Sequence, residues 1–237
     1  KIWEIFPELA EAVRKTHFEA GMMGSGHDFE HAARVGQYAY QISDDEEIGK
    51  TAGIAGLCHN ADRILQRKKG VGRKDVPKGD IASLIQEWLF KLPAGYLNGI
   101  KRNLIIDSIL KHDGKNEITD NQILISLMDA DRLVNIELDL IIRCGQFQPD
   151  LPAVDFVHLL NDPTATYRKP KSVFRDVASS LEWETDPRFV LRNRKAIEMG
   201  KVRFAAIRFY IETLESQIRD SGLVPYPFQK IEISTTV

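Results

Sequence analysis

Four stretches of the chain place histidines or acids where the surrounding pattern asks for apolar residues. His27 and His31 stand four apart at the head of a segment in which Ala32, Val35, Ala39 and Ile42 recur at helical spacing, so on a helix both rings face the same way. His59, Asn60 and Asp62 interrupt the small, apolar run Ala52-Gly-Ile-Ala-Gly-Leu-Cys58. His112 continues the stripe of Ile105 and Ile109, and Asp129 and Asp131 fall between Ile123–Met128 and Leu133, Val134 and Ile136. Burying a polar group without a partner costs roughly 2–7 kcal/mol in an apolar medium, so each of these residues needs a reason to be there. Neutral imidazoles and ionised carboxylates that converge from separate helices suit a metal ion, and the ion's charge offsets the desolvation of the acids. Taken singly, a buried histidine is more often a hydrogen-bonded core residue than a ligand.

Helices must position these groups, because helical periodicity dominates and strand alternation is nearly absent. The pattern predicts a helix from Trp3 to Ala20, broken by the glycines of residues 21–26, and a second, capped by Ser25 or Asp28, running to about Ile42. The acids Asp44 to Glu47 open a third that reaches about Leu65. Further helices are expected over Ile81–Leu92, Leu97–Lys111 and Asn121–Ile142, the last apolar nearly all round and therefore central. Beyond a proline-punctuated stretch, two more are expected over Ser172–Trp183 and Arg188–Arg219, with an extended arm after Gly222. The expected fold class is all-α: a multi-helix bundle over residues 1–145 with a C-terminal helical extension over 146–237 packed on it.

The 237 residues are 43% hydrophobic and 28% charged, enough to bury a substantial core. No apolar run is long enough to span a membrane, and the first twenty residues mix charge with hydrophobes, against a secretory signal. Cys58 and Cys144 lack metal-type spacing, so reduced thiols and a cytoplasmic location are expected. A formal charge of −2 gives no general attraction to nucleic acid or anionic lipid, and nucleic acid is disfavoured as a partner. One local exception is the glycine-rich loop holding Arg67, Lys68, Lys69, Arg73, Lys74 and Lys78, which is either a solvated loop or an attractor of phosphorylated substrate. The outer faces of the last two helices leave a homo-oligomer open.

In order, the polar groups read His27-Asp-Phe-Glu-His31-Ala-Ala-Arg34-Val35, then Gly56-Leu-Cys-His59-Asn60, then His112-Asp113, then Asp129-Ala-Asp131-Arg132-Leu133. This order resembles the HD-domain superfamily, whose pattern is H…HD…D on separate helices, and most of all its small stand-alone phosphohydrolases. The resemblance covers roughly residues 20–140. It implies an HD-domain bundle with a divalent ion (Mn, Mg, Fe or Zn) at His31, His59 and Asp131. Asn60 stands where active members carry a ligating Asp; its amide oxygen can still ligate, at lower affinity. Asp129 becomes an alternative ligand or a partner of the site.

Asp62, three residues after His59, is a candidate for the missing carboxylate, and His112 for a second ion or a phosphate. These two are the candidate catalytic residues. His27 and Asp28 match positions that line the site. His27, Arg34, Arg63, Lys111 and Arg132 are the candidate substrate contacts, with internal salt bridges the competing reading for Arg34 and Arg132. The implied activity is metal-dependent hydrolysis of a phosphomonoester or phosphodiester, with a nucleotide the favoured substrate. The alternatives are a degenerate member that binds a nucleotide or other anion without catalysis, and a helical scaffold whose polar groups satisfy one another.

Overall fold

A computed structural model describes residues 1–24, 26–166 and 169–228. Among these the chain is all-α, with no strand or sheet. Pro7 sets the first departure from the expected helices. It has no N–H to give, and it disfavours helical geometry in the residue before it. The predicted Trp3–Ala20 helix is therefore two: α1, Ile2–Ile5, and α2, Pro7–Glu19, with Phe6 at φ −127° between them.

The chain turns through Gly21, Gly24 and Gly26, all at positive φ, into α3, Phe29–Ile42. The Asp28 carboxylate caps α3 by accepting from His31 N at 3.0 Å; Ser25, the other cap considered, lies outside the described residues. Asp45 caps α4, Glu46–Cys58. α3 and α4 form the most extensive pairing in the molecule. The small residues explain why: a Cβ on Gly56 would stand 2.6 Å from Gly36 Cα, so the two backbones meet directly.

α4 does not run on to Leu65 but stops at His59–Asn60, and α5, Ala61–Lys69, starts afresh and ends at Gly70, φ 62°. After a 3-10 turn at Arg73–Asp75 come α6, Lys78–Leu89, and α7, Gly99–Lys111, capped by Asn98. α8, Gln122–Val134, packs on α3, α4 and α7 and is buried on most sides, as its apolar pattern predicts. It ends eight residues early. Glu137 and Asp139 are drawn into an ion-pair cluster with Arg34 (2.5 and 2.8 Å) and, for Glu137, Arg203 (3.4 Å), and the chain turns there before α9, Leu140–Phe147.

The expected boundary at residue 145 falls inside α9. α9 packs on α10, Val173–Ser179, which is followed by the short α11, Glu182–Thr185. α12, Arg194–Asp220, starts six residues later than predicted and lies on α8, α3 and α10. No helix among the described residues is long and apolar enough to cross a membrane.

Candidate metal centre and cavity

Helix ends, not helix middles, deliver the histidines. His59 is the residue after α4 and His112 the residue after α7, where the last carbonyls have no partner within their helix. Each ring turns back onto its own last turn: His59 Nδ1 lies 2.7 Å from Gly56 O, and His112 Nδ1 lies 2.6 Å from Ile109 O. A carbonyl can only accept, so the proton sits on Nδ1 and the Nε2 lone pair is left for a ligand. His31 arrives from the first turn of α3, placed by the Asp28 cap, with Nε2 3.2 Å from Asp131 Oδ1 on α8. His59 Nε2 is 3.8 Å from the same oxygen.

His31, His59 and Asp131 thus offer three donor atoms within 4.8 Å of one another, and His112, Asp113 and Asp131 offer a second such set sharing Asp131. Ring centroids run 5.7 Å from His27 to His31, 5.1 Å on to His59 and 5.3 Å on to His112.

The electrostatics of these groups suit metal ligation. Burial drives the His59 imidazole well below the ordinary range against the pull of Asp131, so it is neutral at pH 7. Burial, with Arg63 nearby, lowers His27 to about 3. At Asp131 burial pushes upward, but the hydrogen bond from His31 and the nearby His59, His31 and His112 outweigh it, and the carboxyl is held below its ordinary value. Neutral nitrogens beside an ionised carboxylate fit a divalent ion. His31 Nδ1 is buried without a hydrogen bond, so His31 lacks the carbonyl support that His59 and His112 have.

Asn60, expected to ligate through its amide oxygen, is 1% exposed and lines the cavity, and its amide nitrogen donates to His27 O at 3.0 Å and reaches toward Asp28 O at 3.5 Å. It tethers the turn that leads into α3. Asp62 is not the substitute carboxylate: one oxygen accepts from Arg63 N (2.7 Å) and the other from Arg73 Nε (2.6 Å). The break after His59 also removes the shared helix face on which that idea rested. Asp129 faces away from the cluster and accepts from Arg192 N, Asn193 N and Asn193 Nδ2 at 2.6–2.9 Å, fastening the start of α12. Arg34 pairs with Glu137 and Asp139, Lys111 pairs with Asp107 on the surface, and neither lines the cavity described below.

A cavity of about 670 Å³ opens over the cluster, within the roughly 300–1,000 Å³ typical of small-molecule sites. Its core side includes the four histidines, Arg63 and Arg132. The Arg132 guanidinium is largely committed, donating to Asn116 Oδ1 at 2.7 Å and lying 5.9 Å from the Phe189 ring. The far wall comes from α9 and the C-terminal extension, with Arg143, Phe147, Asp176, Trp183, Arg188 and Phe189. None of these six was visible as a site residue in the sequence, since each sits in an ordinary helical or loop pattern. Arg73 also lines the cavity; its only signal was membership of the basic loop. No family model, curated protein sequence or solved structure matches the chain.

Proposed function

We propose that the protein is an HD-domain-type, metal-dependent phosphohydrolase acting on a small phosphomonoester or phosphodiester, a nucleotide being the favoured substrate. The observation that supports it best is the convergence of His31, His59 and Asp131 from three helices onto one point at the floor of a cavity. Those three residues would hold the ion, with His112 beside them. A divalent ion supplies Lewis acidity, polarising a phosphoryl oxygen and making water acidic enough to attack at neutral pH.

The chain's own residues do the rest. The Gly56 and Ile109 carbonyls fix the two ring tautomers, and Asp28 with Asn60 holds the turn that aims His31. Arg63 and Arg73 bring positive charge to the cavity wall, where it stabilises charge developing on phosphoryl oxygens. The extension supplies the opposite wall.

A second reading, binding without turnover, is favoured by Asn60. With its nitrogen held by the His27 carbonyl, the ligand set keeps three strong donors where active relatives have four. Assays of phosphate release from nucleoside monophosphates and cyclic nucleotides, with Mn²⁺ and with EDTA, separate the two. The hydrolase reading expects ion-dependent release that falls about a hundredfold or more in Asp131→Asn. Tight nucleotide binding with no release under any ion leaves the binding reading.

A further inference from the structure

Arg73 sits where two walls of the cavity meet. It rides on the short 3-10 turn between α5 and α6, the centre of the basic loop. Its Nε donates to Asp62 Oδ2 at 2.6 Å on α5, and its Nη2 pairs with Asp113 Oδ2, just beyond α7. All three residues line the cavity. The guanidinium therefore links two segments of the cavity lining, and with Arg73 and Asp113 both partly exposed the bridge lies on the solvent side, at the cavity mouth. Asp113 is 45% exposed, and its other oxygen lies 3.6 Å from His112 Nε2, within the second group of potential ligands.

The two ends of this bridge differ. Asp62 is mostly buried and also accepts from Arg63 N, so it is fixed in place. Asp113 accepts from no backbone N–H among the described residues and faces solvent on one side. An exposed ion pair contributes little, typically about 0–1 kcal/mol, and gives way readily to a better acceptor. A phosphoryl dianion is one, because it offers a guanidinium two parallel charge-assisted bonds.

We propose that Arg73 is a latch that Asp113 holds across the cavity mouth and that an incoming phosphoryl group takes over, making Arg73 the principal phosphate-binding side chain. The proposal rests on the phosphohydrolase reading only in taking the ligand to be a small phosphoester. Asp62 keeps the arginine stem in place during the exchange. Asp113 competes with the ligand, so its charge lowers apparent phosphate affinity.

Calorimetric titration of the full chain with inorganic phosphate and with adenosine monophosphate, in EDTA, tests this without any need for turnover. Arg73→Ala is expected to weaken binding of both roughly tenfold or more, the loss of a charge-assisted pair. Asp113→Asn is expected to tighten both by about threefold or more, as a competing charge is removed. Stronger binding of the monophosphate identifies an ester as the ligand; equal binding identifies phosphate itself.

A bridge that served only to hold the loop would make both variants bind more weakly, and that result overturns the proposal. So does Arg73→Ala binding as well as the original chain, or no binding by either the original chain or Asp113→Asn. A hydrolase that fails the latch test and a latch that works in a chain without turnover remain separate outcomes, since the titration omits the ion.

Discussion

At Asn60 the difference between an amide and a carboxylate is the difference between a donor and an acceptor. The side chain is buried and its nitrogen meets the His27 carbonyl at 3.0 Å. A carboxylate there would bring an acceptor against an acceptor, and an unsatisfied buried group costs about 1–3 kcal/mol. Asn60→Asp is therefore expected to lower the stability of the metal-free protein by about that amount in urea denaturation. An unchanged midpoint would show that the tether does not matter. The sequence made the order of His31, His59, His112 and Asp131 legible because those residues break apolar patterns. It could not reveal what Asn60, Asp62, Asp129 and Arg34 bond to. Those partners lie 33, 11, 63 and 103 residues away and are set by packing, not by spacing.

Elements bring the candidate ligands together by close approach. α3 and α4 touch backbone to backbone at Gly36 and Gly56, which sets His31 against His59. Gly56→Ala is expected to cost about 1–3 kcal/mol or more, because the new methyl meets main chain that has no room to shift. Gly79→Ala on α6, with no atom within 4 Å of its added Cβ, is the control and is expected to be neutral or stabilising by about 0.5–1 kcal/mol. Equal effects at both sites in chemical denaturation would contradict the close-packing account. The existence of most helices was readable from their 3.6-residue period, and α8 was readable as central from its apolar surround. Their ends were not. α4 stops where Asn60 is held by the His27 carbonyl, and α8 stops where Glu137 meets Arg34 and Arg203. Both breaks come from tertiary bonds that outbid helical continuity.

Across the whole molecule the core supplies the polar floor of the cavity and the extension supplies its far wall, and only the floor had a sequence signature. The buried histidines also tie stability to pH. His17, His27 and His59 all have lowered pKa values, burial being the largest cause in each. The unfolded chain takes up protons near 6.5 while the folded chain does not, so stability falls as pH drops below about 6.5, and for His27 continues to fall down to about 3. The depressed Asp131 adds a loss only below its ordinary value near 3.8. The thermal midpoint is expected to be lower at pH 5.0 than at pH 7.5, and an equal or higher midpoint at pH 5.0 would contradict these burial-driven shifts. The central claim is that three side chains from α3, the end of α4 and α8 form a metal centre. Its most direct test is elemental analysis of the purified chain after equilibration with Mn²⁺ and removal of free ion. The account predicts near-stoichiometric or greater metal in the original protein and its loss in His59→Ala, with the variant still folded. A folded original protein that retains no metal would contradict it.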